Sequence, residues 1–238
     1  MRGCAELLAV QQRAASVRVA LRKLQHSYGP RAGGRAALTI AELDVEQGSK
    51  LCLVGNSGSG KTTLLNILAG VLVPSSGQVR LGEQELFALS EAGRDSFRAR
   101  HIGCVFQTLN LLQGLSVLEN LTLAQRFAGI AGAAARRKGL ELLEQLGLGD
   151  RAGARPAQLS LGEQQRVAIA RAVCKSPGLV LADEPTASLD DQNARAAVDL
   201  LLESCLHSTL IVASHDARLL GRFQSVLSLA ELGAPREE

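Results

Sequence analysis

Nine consecutive residues starting at Gly55 combine the side chains that could hold a row of phosphates. They read Gly-Asn-Ser-Gly-Ser-Gly-Lys-Thr-Thr and match the pattern G-x-x-x-x-G-K-[ST]. Glycines allow several backbone N–H groups to point at an anion, Lys61 can reach terminal phosphates, and Thr62 can ligate Mg²⁺. The segment therefore predicts a nucleoside triphosphate site made of Gly55, Asn56, Ser57, Gly58, Ser59, Gly60, Lys61, Thr62 and Thr63.

Apolar segments on both sides of this loop indicate a strand before it and a helix after it. Residues 51–54 are apolar without alternation, as in a parallel strand buried on both faces. Residues 64–72 have a helical pattern that Pro74 ends. The N-terminus of that helix adds a partial positive charge where phosphates would lie. An accidental glycine-rich turn is the alternative, and the order of strand, loop and helix disfavours it.

Three further apolar segments run directly into polar residues. They are 102–106 before Gln107, 179–182 before Asp183 and Glu184, and 209–213 before Ser214 and His215. Open sheets of parallel strands bind their ligands beyond the carboxyl ends of the strands. We therefore expect these polar groups to share one crevice with the phosphate loop.

These polar groups suit the hydrolysis of a triphosphate. Because Asp183 and Glu184 are adjacent on a strand end, their side chains point in different directions. One can hold Mg²⁺ through water while the other faces the γ-phosphate as a general base. Read alone, a strand-end histidine, a glutamine or a carboxylate pair would be ordinary structural or surface residues. We predict the catalytic residues Glu184, His215 and Lys61 and the metal ligands Thr62, Gln107 and Asp183.

A second anion-binding element is predicted at Ser160. Ser160 and Glu163 form an S-x-x-E capping box, so a helix is expected to begin at Leu161. Gly162 lies in its first turn, where bare N–H groups can face an anion. An ordinary capped helix explains the box equally well, but not its occurrence beside the motifs above. Ser160, Gly162 and Glu163 are therefore candidate ligand-binding residues.

Composition restricts the function classes. The chain has 238 residues, a net charge of +3 and only 3% aromatic residues, which gives no sign of nucleic-acid binding. Its 5 cysteines are scattered, as expected in a reducing cytosol. No apolar run is long enough for a transmembrane helix, and residues 1–16 lack a signal-peptide core. We expect the chain to stay on the cytosolic side.

The remaining pattern predicts one α/β domain with a helical insertion. Alternating strands are expected at 17–24 and 38–45 and a short strand at 78–81, and I-G-C-V-F at 102–106 is expected to be buried. Leucine-rich helical stretches occupy about 108–159. Further helices are predicted at 90–100, 117–127, 136–146, 160–174 and 192–204.

In order along the chain, these motifs resemble those of ATP-binding cassette (ABC) ATPases. The residues that carry the resemblance are the phosphate loop, Gln107, Leu159-Ser-Leu-Gly-Glu163, Leu179-Val-Leu-Ala-Asp-Glu-Pro-Thr-Ala-Ser-Leu-Asp190 and His215. The resemblance implies a P-loop NTPase core with a mostly parallel sheet, an antiparallel β edge and an inserted α-helical subdomain. It implies a cassette at 17–230 with that subdomain at about 108–159, an N-terminal extension at 1–16 and a tail at 231–238.

The same resemblance implies roles for single residues and an assembly. Tyr28 would stack on adenine, Ser160 and Gly162 would contact the γ-phosphate of ATP held by the partner subunit, and Asp190 would lie in a dimer-contacting loop. ATP and Mg²⁺ are the implied ligands, bound in a head-to-tail dimer of two copies. The family usually has Gly where this chain has Leu161; because that position is expected to be helical, glycine is not required and function should survive.

The motifs look most like those of the bacterial lipoprotein-releasing and macrolide-exporting group. That resemblance implies a separate transmembrane permease as partner, with membrane contact only through it, at the inner face of the cell membrane. We expect Leu111 and Leu115, just past Gln107, to line a groove for a permease helix; packing within the insertion is the alternative. A soluble ABC protein and an ATP-sensing adaptor remain rival functions. A GTPase is disfavoured because no Asn-Lys-x-Asp segment is present.

Overall fold

The computed structural model describes residues 16–28, 37–187, 189–216 and 220–233, so most of the predicted extension and tail lie outside the described residues. The described strands are β1 (Val19–His26), β2 (Leu38–Val45), β3 (Lys50–Val54), β4 (Ser76–Leu81), β5 (Gln84–Glu85), β6 (Ile102–Val105), β7 (Leu179–Asp183), β8 (Thr209–Ser214) and β9 (Ser225–Ser228). The described helices are α1 (Lys61–Leu68), α2 (Glu91–His101), α3 (Val117–Phe127), α4 (Gly132–Gln145), α5 (Leu161–Val173) and α6 (Asp191–Ser204). None of these helices is long and apolar enough to cross a membrane.

Two sheets build the molecule. A parallel sheet of five strands has the order β6-β7-β8-β3-β9, and an antiparallel sheet of four strands has the order β2-β1-β4-β5. The predicted α/β fold with a mostly parallel sheet is confirmed. The predicted antiparallel strands form a sheet of their own rather than extending the edge of the parallel sheet.

The parallel sheet separates two aliphatic cores. Along β3, the side chain of Cys52 packs into the core on the side of α5, whereas Leu51 and Leu53 pack into the core shared with α1 and the antiparallel sheet. Such strands are buried on both faces, which explains their continuous apolar sequence. Apart from the edge strand β9, the sheet is therefore largely buried, and its strand ends carry the polar groups that reach the surface.

The helical insertion packs on the first of these cores. Helices α3 and α4 contribute Leu118, Leu121, Leu142 and Leu143 to it. Helix α3 has the bounds predicted from sequence, while α4 starts at Gly132, earlier than the predicted 136, because the alanines before the leucine pattern are also helical. Strand β9 was not predicted, since two of its four residues are exposed, two are half-buried, and they show no clear alternation.

The predicted docking role is wrong for Leu111, whereas Leu115, the other residue of that prediction, is half-buried and its role stays a prediction. Leu111 is only 7% exposed and belongs to the core beneath the insertion, so it cannot line a docking groove. Leu109 is buried there too, while Leu112 is exposed. An apolar residue in a loop has the same sequence signature whether it packs inward or faces a partner, and here the loop folds back onto the core.

Candidate nucleotide-binding site

The strand order and register bring the predicted residues to one edge of the parallel sheet. Val54 on β3 is level with Ser214 on β8, and Ala213 on β8 is level with Asp183 on β7. Strand β8 lies between the other two, so the loop after β3 faces the carboxylates after β7 across the end of β8. The predicted crevice at the carboxyl ends of the strands is present.

The phosphate loop surrounds the Lys61 ammonium. Lys61 Nζ donates to Gly55 O at 2.7 Å and to Asn56 O at 3.3 Å, and the residue is 6% exposed. Gly60 has a φ of 102°, and a Cβ there would lie 3.0 Å from Ala37 O, so a side chain is excluded. The first turn of α1 has no side-chain cap, which leaves its N–H groups directed at the loop. This arrangement is an anion cradle.

The Glu184 carboxylate is held on three sides. Its Oε1 lies 2.7 Å from His215 Nδ1 and 3.6 Å from Lys61 Nζ. Its Oε2 accepts a hydrogen bond from Ser214 Oγ at 3.0 Å. With His215 Nδ1 engaged by the carboxylate, Nε2 is the ring nitrogen left for a phosphate. The three predicted catalytic residues therefore meet at one carboxylate, since His215 and Lys61 both contact Glu184.

The Asp183 carboxyl has the properties of a metal ligand. Asp183 is 9% exposed, and among the described residues its Oδ1 has no hydrogen-bond partner. Burial raises the pKa of Asp183 and neighbouring Glu184 raises it further, while Thr62 and Lys61 lower it. A buried carboxylate with a free oxygen is unfavourable unless a cation or proton joins it.

The residues predicted to ligate Mg²⁺ share one cavity. Thr62, Gln107 and Asp183 line a space of about 220 Å³ next to the phosphate loop. Within the described ranges there is no cluster of three or more His, Cys, Asp or Glu residues able to hold a metal by itself. That fits Mg²⁺, which usually takes one or two carboxylates together with substrate phosphates and water. The oxygen donors present therefore suit the predicted ion.

Tyr28 lies at the end of β1, over the phosphate-loop helix. Its hydroxyl is 3.0 Å from Thr63 Oγ1, and its ring meets His26 edge to face at 4.7 Å. The side chain is 63% exposed, which leaves a ring face open for a base. The segment 29–36 that follows it lies outside the described residues.

Ser160, Gly162, Glu163 and Asp190 form a separate surface. Ser160 caps α5 by accepting from Glu163 N at 3.3 Å, and Asp190 caps α6 by accepting from Asn193 N at 2.9 Å. A Cβ on Gly162 would lie 3.0 Å from Asn193 Oδ1, so glycine allows the two helix starts to pack together. No hydrogen bond within the described part of the chain joins these residues to the phosphate loop. Leu161 is the first residue of α5 and lacks a positive φ, so glycine is not needed there.

Three contributors were not predicted as site residues. Ser214 donates to Glu184, the Asn193 side chain donates to Asp190 and lies beside Gly162, and Arg171 donates to two carbonyls just past Gln107. Ser214 could have been found from its position at a strand end. Arg171 contacts residues 61 and 62 positions away in the sequence, and Asn193 lies beside the distant Gly162, so no local pattern marks these two contacts.

The family described as ABC transporter matches residues 38–187, from β2 to just past Glu184. The chain belongs to the ABC transporter family. It is an ATP-binding subunit of the transporter ATPase type, and the predicted family, ATP binding and ATPase activity are confirmed.

Two relatives illustrate the match. The chain is 41% identical to the lipoprotein-releasing system ATP-binding protein LolD of Pseudomonas fluorescens, over 88% of this chain and 93% of the relative. It is 45% identical to the uncharacterized ABC transporter ATP-binding protein YbbA of Escherichia coli strain K12, over 92% of this chain and 97% of the relative. The ABC cassette therefore accounts for most of the chain.

Two solved structures with a similar fold are also ABC cassettes. A dimeric structure of the ATP-binding cassette MJ0796 in a post-hydrolysis state, bound to ADP and Pi, is similar with a TM-score of 0.80 and 33% identity, over 88% of this chain and 93% of that chain. A second dimeric structure of the same cassette has a TM-score of 0.80 and 32% identity. The fold of this ABC subunit is thus that of a cassette seen as a dimer.

Proposed function

We propose that this ABC subunit hydrolyses Mg-ATP at the crevice beside β8 and thereby drives a separate membrane permease. The observation that carries the proposal is the contact between the Glu184 carboxylate, Lys61 and His215. Lys61 and the N–H groups of the loop would hold the phosphates, and Tyr28 would stack on the base. Glu184 would accept a proton from the attacking water, with Ser214 and His215 fixing its orientation.

The metal role follows from the oxygen donors that line the cavity described above. Asp183, Thr62 and Gln107 would hold Mg²⁺, which when bound neutralises charge on the phosphate oxygens. The buried Oδ1 of Asp183, which has no hydrogen-bond partner among the described residues, supports this assignment, since a bound cation would compensate the charge of the carboxylate. Gln107 is exposed at the end of β6 and faces the same cavity as Asp183.

A head-to-tail dimer would complete each site. Ser160 and Gly162 lie on a surface separate from the chain's own phosphate loop, at the N-terminus of α5. A helix N-terminus attracts anions, so this surface suits the γ-phosphate of ATP held by a second copy. The dimeric state of the similar cassette supports the same assembly. Asp190, beside Asn193 at the start of α6, would lie at the dimer contact.

An exposed groove supports a permease partner. It has a volume of about 450 Å³ and lies between α2, β6, α3 and α5. Phe127 on its rim is 70% exposed, although it is a large apolar side chain. Cys104, Phe106 and Asn110 line both this groove and the Mg²⁺ cavity, so one wall separates the two. A helix of the permease docked here would sit next to the residues that sense the nucleotide.

The partner system proposed is the lipoprotein-releasing or macrolide-exporting type. The match to LolD, named for a lipoprotein-releasing system, supports it. The subunit would then work at the inner face of the cell membrane, attached through its permease. A soluble ABC ATPase or an ATP-sensing adaptor would not need the apolar groove, and a sensor would not need the Glu184 arrangement.

The first test is Glu184→Gln. Since the amide cannot accept the proton from water, steady-state ATPase activity should fall by about 10²–10⁴-fold while ATP binding persists. Activity is measured by phosphate release and binding by fluorescence of a labelled ATP. The exposed Glu203→Gln on α6 is the control and should keep full activity. Near-normal turnover in Glu184→Gln would remove the general-base assignment.

A further inference from the structure

The loop after Gln107 has an unusual backbone. Leu109 and Asn110 have φ values of 57° and 48°, so two consecutive residues other than glycine adopt the left-handed conformation. Such residues persist only where their surroundings fix them. Asparagine tolerates this conformation, whereas leucine does not favour it. Something must therefore hold this loop.

Arg171 supplies the contacts that hold it. Its Nη2 donates to Leu109 O at 2.7 Å, and its Nη1 donates to Asn110 O at 2.5 Å. The two acceptors are the carbonyls of the two left-handed residues. The guanidinium is planar and presents parallel donors, which suits two neighbouring oxygens. Burial lowers the pKa of Arg171, in keeping with a cation removed from water and placed among carbonyls.

The same contacts join two functional elements. Arg171 lies in the last turn of α5, whose N-terminus presents the cap Ser160 and Gly162 of the first turn. The loop it holds begins directly after Gln107, and Asn110 lines both the Mg²⁺ cavity and the groove. Leu109 is anchored in the core, so the carbonyls cannot shift without moving the loop as a whole.

We propose that Arg171 is a positioning residue for Gln107, holding the left-handed loop so that the glutamine faces the Mg²⁺ cavity. The proposal rests on the Mg-ATP function proposed above. Arg171 itself contacts neither nucleotide nor metal; it acts through the carbonyls of Leu109 and Asn110. A permease helix entering the groove would act on the same loop.

The test measures nucleotide binding with and without Mg²⁺ in the full chain. In EDTA, Arg171→Ala should bind a fluorescent ATP analogue as tightly as the wild type, since the phosphate loop is unchanged. With Mg²⁺ titrated in, the half-saturating Mg²⁺ concentration should rise about ten-fold, the lower range for loss of a residue that orients a metal ligand. Arg171→Lys has one compact donor group, so its half-saturating Mg²⁺ concentration should lie between those of the wild type and Arg171→Ala.

Lys175→Ala is the matched control. Lys175 follows the end of α5 and also donates to a backbone carbonyl, Arg98 O at 3.0 Å, but on α2. It should show the Mg²⁺ response of the wild type. Gln107→Ala should reproduce the effect of Arg171→Ala, and combining the two should add nothing, as expected for residues acting in series.

Equal Mg²⁺ responses for Arg171→Ala and Lys175→Ala would overturn the proposal. So would additive effects in the double variant, or the loss of EDTA binding in both Arg171 variants, which would show a purely structural role. A wild type that binds the analogue without any Mg²⁺ response would instead overturn the proposed metal site itself. The two failures are therefore distinguishable.

Discussion

Glu184 differs from the residue before it in backbone as well as in role. Its φ is 44°, and its N–H donates to Ala213 O at 2.8 Å, so the chain turns towards β8 as soon as β7 ends. A left-handed conformation costs of order 1–3 kcal/mol outside glycine. The turn explains why Asp183 faces Thr62 while Glu184 faces Ser214 and His215. The sequence predicts that the side chains of Asp183 and Glu184 point in different directions. It does not predict that the left-handed backbone of Glu184 orients its side chain.

At the same scale, the thiols are expected to be inert. Burial raises the pKa of Cys104 to about 11 and those of Cys174 and Cys205 to about 12. Because the thiolate is the nucleophile, a rise from 9.0 to about 11 makes alkylation of Cys104 at pH 8 about 100-fold slower than for a free thiol. The rate should increase with pH until about 11.

This prediction is measured by iodoacetamide labelling and peptide mapping, which separates these thiols from Cys4, a residue outside the described part of the chain. Unfolding in urea is the control and should label all sites rapidly. Fast labelling of Cys104 in the native protein at pH 8 would contradict it.

At the scale of elements, two helices begin with the same cap but face different surroundings. Ser116 and Glu119 at α3 form a capping box with distances of 3.2 and 2.7 Å. Ser160 and Glu163 at α5 form one with distances of 3.3 and 2.7 Å. The two boxes match apart from one further hydrogen bond, which Ser160 Oγ donates to Glu163 Oε2 at 2.8 Å. These bonds only cap the helix, so the proposed phosphate contact of Ser160 needs a second copy of the chain.

The matched pair gives a prediction. Ser116→Ala and Ser160→Ala should each lower the free energy of unfolding by about 1 kcal/mol, since each removes one cap. In a Glu184→Gln background, only Ser160→Ala should prevent ATP-dependent dimerisation, because only that helix start would bind the partner's nucleotide. Urea denaturation measures the first effect and gel filtration with Mg-ATP the second. Equal dimerisation of the two variants would remove Ser160 from the composite site.

Helices, strands and site residues that a local sequence pattern marks were predictable, whereas contacts between residues distant in the sequence were not. Each polar group at a strand end follows its apolar strand directly, so Gln107, Asp183 and His215 could be located before the structure was known. The contact of Arg171 with Leu109 joins residues 62 apart, and neither has a distinctive neighbour. Leu111 was assigned to a groove because local sequence does not record which way a loop packs.

At the scale of the whole molecule, nucleotide and permease would approach different faces that share one wall. By the proposed function, the nucleotide would lie beyond the carboxyl ends of the parallel strands, whereas the groove opens between α2, α3 and α5. Phe106 and Asn110 line both spaces. A movement of Phe106 and Asn110 would change the shape of both the Mg²⁺ cavity and the groove. Hydrolysis and transport could therefore be coupled without a long pathway through the molecule.

The last prediction tests this groove with Phe127→Asp. Phe127 is 70% exposed, so the charge should leave folding and the ATPase activity of the isolated subunit within experimental error, yet prevent co-purification with the permease. Leu206→Asp is the matched control, because Leu206 is also apolar and 57% exposed but follows α6, away from the groove. Leu111→Asp should instead unfold the chain, since it would bury a charge in the core. Pull-down from co-expressed subunit and permease measures permease binding, and circular dichroism of each variant shows whether it is folded. If Phe127→Asp retains the permease as Leu206→Asp does, the docking surface lies elsewhere on the molecule, and the shared wall has no role in coupling.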